Sequence, residues 1–319
     1  MKRLFREEQG ASAIIIAFAM TLILTVSALA IDIGAAYVEV SNAQNAADAI
    51  AMSVGMYLPV KQDDEQKKTL IINKAIEYSI KNKVDGFKAS DVTFGDLKNG
   101  KYTSVTLSVS KISITRLAGI VGVDSINIVK TATVAAVPTG EINGAVPMGI
   151  NEAAYNHVME TGENEHIRLK VGGGSGDTGF YGFLVLDDSN GNANVLEQWF
   201  KFGYPGANSV GEILPVATGN KTSVAKNGST YRLSQCTHYA GQGGCTPEHY
   251  EEECPKIIRV LIYRMVDSRT VEVIGFAAFL LEYTSADDEI QGTFLGVNTG
   301  YTDKISDKDF GTYTYRLTG

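Results

Sequence analysis

The chain has 319 residues, 44% of them hydrophobic and 20% charged, with a formal net charge of −8. That length suggests two domains of ordinary size, with enough apolar side chains to fill a core in each. The acidic balance, with no lysine- or arginine-rich block, excludes a general electrostatic affinity for nucleic acid.

The first element dominates the reading. Residues 11–31 form an uncharged, mostly apolar run of 21 residues. As a helix it spans about 31 Å, the thickness of a bilayer's hydrocarbon core. Lys2, Arg3 and Arg6 precede it, and the next basic residue is Lys61. That bias predicts a single-pass protein of the cytoplasmic membrane, with its amino end in the cytoplasm and the bulk of the chain outside. The same region also reads as a secretory signal, because Ala28-Leu29-Ala30 offers a cleavage site after Ala30. Two features favour retention. The run is longer than the roughly 7–15 residues of a signal core. The helical pattern also continues beyond it, with Ala36, Val40, Ala43, Ala47, Ile50 and Val54 at steps of four and three and no proline before Pro59. Such a stripe of small residues either meets a partner helix or rests on the protein's own exterior domain.

A second amphipathic helix is expected over residues 64–82, carried by Leu70, Ile71, Ala75, Tyr78 and Ile80 and stopped by Asp85-Gly86. Strand signals follow at residues 91–94 and 104–114, then a short helix over 115–122 and a further strand over 126–137. The order helix, helix, strand, strand, helix, strand predicts a small α+β domain. Residues 139–147 read as a linker. Beyond it, short apolar runs punctuated by glycine and asparagine predict a β-rich domain, with strands at 166–171, 180–186, 257–266, 271–283, 290–297 and 312–317. The partition is therefore 1–10 cytoplasmic, 11–31 transmembrane, 32–138 stalk and α+β domain, 139–147 linker, and 148–319 β-rich exterior domain.

The amino-terminal pattern resembles a known family. Gln9-Gly10-Ala11-Ser12-Ala13, the apolar run, Asp32-Ile33-Gly34-Ala35-Ala36-Tyr37 and Asn42-Ala43-Gln44-Asn45-Ala46-Ala47-Asp48-Ala49 are similar to the start of the TadE/TadG-like proteins of Flp (tight-adherence) pilus assembly. Processed pilins carry a glutamate five residues after the glycine where they are cut. Ile15 stands there in this chain, so the resemblance is to the unprocessed, TadG-like branch. Residues 104–137 are similar to the rest of that family's first domain. Ala145-Val146-Pro147-Met148-Gly149 and Gly275-Phe276-Ala277-Ala278-Phe279 carry a looser resemblance to the carboxy-terminal parts of TadG-like proteins from Gram-positive bacteria, which implies no activity.

Candidates for chemistry are few. Cys236, His238, Cys245, His249 and Cys254 place five soft or imidazole ligands within 19 residues, enough for a four-coordinate zinc site. Eight residues separate each cysteine from the next and there is no Cys-x-x-Cys pair. In an exported chain a disulfide among Cys236, Cys245 and Cys254 is the favoured reading, with the pairing open. Gly172-Gly173-Gly174-Ser175-Gly176-Asp177 lacks the lysine of a phosphate loop and reads as a flexible connection. Asp187-Asp188-Ser189-Asn190-Gly191-Asn192 begins like a calcium loop, but Trp199 stands where the closing glutamate belongs, so a hairpin tip is expected. His157 and His166 are isolated, and Asp287, Asp288 and Glu289 read as a solvated turn. No hydrolase motif is present, so neither an enzyme nor a cofactor is expected.

The resemblance implies a structural component of a Flp-type pilus or related surface apparatus in a bacterial membrane. It would contact other pilus-assembly or pseudopilin subunits, membrane lipid and a second copy of itself. The competing reading is a membrane-tethered binding module or adhesin. A secreted hydrolase would need a clustered acid–base set in the folded domain.

Overall fold

A computed structural model describes the chain except for residues 1–3, 116, 162–166, 171–180, 188–190, 218–221, 285–288, 301 and 319. Two compact units result, one of residues 1–55, 60–135 and 317–319, the other of residues 56–59 and 136–316.

The first unit is built on a single helix, α1 (Leu4–Gly55), of 52 residues. No proline interrupts it, so the backbone ladder runs unbroken through the apolar segment and into the stalk. After β1 (Val60–Lys61), helix α2 (Glu65–Lys81) starts at Asp64, whose carboxylate accepts the Lys67 N–H at 2.9 Å. That is the expected way to satisfy an orphan donor in a first turn. Strands β2 (Val92–Lys98), β3 (Lys101–Ile114) and β4 (Ser125–Pro138) form an antiparallel sheet, with β1 also on β3. Asn99-Gly100 joins β2 to β3, and both residues have positive φ, 48° and 72°, the turn that matches strand twist. Alternation in β3 sends Val105, Leu107 and Val109 into the core; α1 packs on β3, and α2 packs on α1.

In the second unit the elements are β5 (Glu141–Asn143), β6 (Ala145–Asn151), α3 (Glu152–Thr161), β7 (Ile167–Lys170), β8 (Tyr181–Phe183), α4 (Ala193–Phe202), β9 (Ala207–Ser209), β10 (Ile213–Pro215), α5 (Thr222–Ser234), β11 (Ile257–Met265), β12 (Thr270–Thr284), β13 (Glu289–Leu295), β14 (Val297–Asn298) and β15 (Thr312–Leu317). The main sheet runs β7-β13-β12-β11-β6-β8, with β10 also pairing β12. Only β6 and β11 in it are parallel. Strand β12 is apolar almost throughout because both its faces are covered. Phe276, Phe279 and Leu281 join the main core, whereas Ala278 and Leu280 join a smaller one on the other side, the condition that turns alternation into a continuous apolar run.

Residues 139–147 are folded, not a linker. β5 pairs β9, and β6 enters the main sheet with Ala145 and Val146 buried. Gly140, Gly144 and Pro147 gave the segment its loop-like look. Gly144 has φ 72° and turns the chain between the two strands. Pro147 falls in the stretch where the pairing with β11 slips from Ala145 opposite Arg259 to Gly149 opposite Leu261, a place where proline is tolerated. The helices α3, α4 and α5 are additions to the β-rich expectation. α4 and α5 pack closely because Gly228 has no side chain: a Cβ there would stand 2.3 Å from the Phe200 ring.

Candidate functional site

Two places concentrate features that packing alone does not explain: the exit of α1 from its apolar segment, and the cysteine loop of the second unit.

In the apolar segment every large hydrophobic side chain from Ile14 to Ile31 is exposed, by 55–74%. A soluble protein does not leave such a surface bare. Among the described residues this is the one helix long and apolar enough to cross a membrane. Directly after it comes Asp32, which is buried. Its Oδ2 accepts the backbone N–H groups of Leu117 at 2.9 Å and Ala118 at 2.5 Å. Ala118–Val121 is a short 3-10 turn between β3 and β4, so the carboxylate caps that turn and ties the connection to α1. The acidic residue at the helix exit is therefore a structural clasp, a role the sequence pattern marks only by position. Replacing it with alanine leaves two backbone donors without this acceptor, at about 1–3 kcal/mol each. Chemical denaturation of the full-length chain in detergent is expected to show a loss of that size for Asp32→Ala and a smaller one for Asp32→Asn, which keeps an acceptor oxygen. Equal stability of Asp32→Ala and wild type would remove the clasp from the account.

Around this exit the connection and strand ends expose Ile112, Ile114, Val123, Ile126 and Val129. Higher on the helix the small-residue stripe divides. Ala36 and Val40 are half-buried, whereas Ala43, Ala47, Ile50 and Val54 are fully buried, in the face that packs on β3 and α2. Gln44 donates from Nε2 to Asp48 Oδ1 at 2.9 Å and to the Thr131 carbonyl of β4 at 3.3 Å. Opposite this buried face, Gly34, Val38, Ser41 and Asn45 follow at steps of four and three and are exposed, with Tyr37 beside them 75% exposed.

The loop between α5 and β11 brings four of the five soft-ligand candidates together. One ligand atom from each of Cys236, His238, Cys245 and Cys254 lies within 4.8 Å of all the others, and the Cys236 and Cys254 sulfurs are 3.5 Å apart. The three thiols are free. His249 stands outside the group. Its Nδ1 meets the Thr246 hydroxyl at 3.2 Å and its ring packs edge-on against Tyr239 at 4.5 Å. Left-handed Gly243 and Gly244, at φ 90° and 87°, turn the chain toward Cys245, where only glycine is unstrained. Cys245 and Cys254 are buried over Ile257, Ala278, Leu280, Leu295 and Val297. Two cations that sequence reasoning missed brace the loop. Lys256 Nζ donates to the Cys245 carbonyl at 3.2 Å, and the Arg232 guanidinium donates to the carbonyls of Phe200 and Pro255 at 2.5 and 3.0 Å. Burial holds Arg232 down to about 10. Burial disfavours both thiolates, but at Cys236 the backbone of Cys245 and the Cys254 thiol outweigh it and lower its pKa, whereas at Cys254 burial prevails and raises it.

Among the described residues, the remaining candidates do not assemble. His157 is exposed on α3. Asp187 is exposed, and Trp199 is a buried residue of α4. His166, Gly172 to Asp177, Asp188 to Asn190, and Asp287 and Asp288 lie outside the described residues.

Residues 10–53 match the family model described as "Putative Flp pilus-assembly TadE/G-like". No curated protein and no solved structure matches the chain. The matched segment covers the apolar helix, the Asp32 clasp and the stalk. It supports a role related to Flp pili and contacts with other pilus components, and it points to structural work more than to catalysis.

Proposed function

We propose that this chain is a membrane-anchored, TadG-like structural component of a Flp-type pilus assembly apparatus, acting through helix packing and protein–protein contacts. The observation that carries the reading is the coincidence of the family match at residues 10–53 with one uninterrupted helix that is apolar in its first half and embedded in a folded head in its second. The basic residues Lys2, Arg3 and Arg6 favour a cytoplasmic amino end in a single pass through the inner membrane, with the chain beyond residue 31 outside.

In this arrangement the clasp at Asp32 holds the turn at Ala118–Val121 close to the lipid surface, and Ile112, Ile114, Val123, Ile126 and Val129 meet the interfacial layer. The exposed stripe of Gly34, Val38, Ser41 and Asn45 is the surface offered to other pilus-assembly or pseudopilin subunits, since small side chains let a second helix approach closely. The buried stripe of Ala43, Ala47, Ile50 and Val54 contributes indirectly, by holding that surface in place.

A photo-crosslinking amino acid at Tyr37, compared with one at Phe202, which is exposed on α4 of the second unit, tests this in the native bacterium. Tyr37 is expected to give adducts with another pilus-assembly subunit or a second copy of the chain, and Phe202 is not. Equal adducts at both positions, or lipid adducts alone at Tyr37, would contradict the assignment.

A further inference from the structure

The cysteine loop is not accounted for by membrane anchoring or by pilus assembly. Three thiol sulfurs and an imidazole nitrogen, from residues spread over positions 236 to 254, converge to within 4.8 Å of one another. In a zinc tetrahedron with Zn–S bonds of about 2.3 Å, neighbouring sulfurs stand about 3.8 Å apart. The Cys236–Cys254 separation of 3.5 Å is close to that edge. A disulfide would engage two of these groups and leave the third buried thiol and the imidazole without a task. The His238 Nδ1 is buried and has no hydrogen-bond partner among the described residues, an arrangement that costs free energy unless something occupies that lone pair.

We propose that Cys236, His238, Cys245 and Cys254 form a structural binding site for zinc or a divalent cation of the same borderline-soft class. Four protein ligands of Cys3His type close the coordination shell, which makes the site structural and leaves no open position for catalysis. The surroundings suit it. Apolar residues of β12, β13 and β14 floor the site, Lys256 offsets the negative charge that three thiolates bring, and Arg232 fixes Pro255 next to Cys254. Bound metal would fasten residues 236–254 onto the outer face of the β12 sheet, where the loop's own apolar content is small.

The test uses the full-length chain purified in detergent without chelator or reductant. Elemental analysis is expected to give one zinc per chain, and titration under denaturing conditions to give three reactive thiols. Cobalt substitution should produce the thiolate charge-transfer and visible bands of a tetrahedral site. His238→Ala and Cys245→Ser should each weaken zinc binding by more than the roughly 10–100-fold that outer-shell changes cost, and His238→Cys, which restores a soft ligand, should retain it. Cys245→Ser separates this site from a Cys236–Cys254 disulfide, to which Cys245 contributes nothing. A metal-free chain holding a Cys236–Cys254 disulfide, or zinc content unchanged in both His238→Ala and Cys245→Ser, would overturn the proposal.

Discussion

Leucine at both Ala43 and Ala47 is expected to destabilise the first unit strongly before it reveals anything about assembly. Both side chains are completely buried on the face of α1 that packs on β3 and α2. Each leucine adds three carbon atoms to a site with no room for them, and overpacking of this kind costs about 1–3 kcal/mol per site. The two sites lie one helical turn apart and share neighbours, so their effects need not add. The expected loss for the double variant is about 2–6 kcal/mol, a large part of an ordinary domain's stability of about 5–15 kcal/mol. Denaturant titration of the full-length chain, followed by a probe in the first unit, measures it. Unchanged stability together with lost subunit crosslinking would mean that this face of α1 serves partners, against the packing described here.

That result turns on which side of a helix is inside, and the sequence carried this only in part. The periodicity of Ala36, Val40, Ala43, Ala47, Ile50 and Val54 marks one face, but periodicity does not say what covers it. The covering sheet is non-local, formed by residues 101–138. The exposed stripe of Gly34, Val38, Ser41 and Asn45 was hidden for the converse reason, since small and polar residues carry no hydrophobic signal. Long apolar strands such as β11 and β12 were legible because burial on both sides makes them nearly uniform in composition. The helices α3 to α5 were not. α5 contains Gly228 and several polar residues, and its stability comes from contact with α4 rather than from its own pattern. At the cysteine loop the residue types were visible, but their eight-residue intervals looked too wide for one site. The turn at Gly243-Gly244 and the packing of Cys245 and Cys254 on the sheet close those intervals. Asp32 stood in the motif from the start, yet its partners, Leu117 and Ala118, lie 85 and 86 residues away.

Arginine at both Met20 and Ile23 is expected to abolish anchoring while leaving both folded units intact. Both residues lie near the middle of the apolar segment and are exposed, by 61% and 63%, so no contact within the chain is lost. An arginine at a helix centre costs about 2.5–3.5 kcal/mol on the insertion scale, and replacing an apolar residue forfeits a few tenths more. The pair therefore costs about 6–8 kcal/mol, enough to reverse insertion of a single span. Fractionation of cells producing the double variant is expected to move the chain out of the membrane pellet, with the wild type as reference.

The anchored helix is the premise beneath the clasp, the partner-facing stripe and the placement of both units. Alkaline extraction of membranes from cells making the wild-type chain, followed by amino-terminal sequencing of the product, tests it most directly. The account predicts a chain that resists extraction, is released by detergent, and still carries the residues before Ala11. A freely soluble product beginning at Ile31 would contradict it.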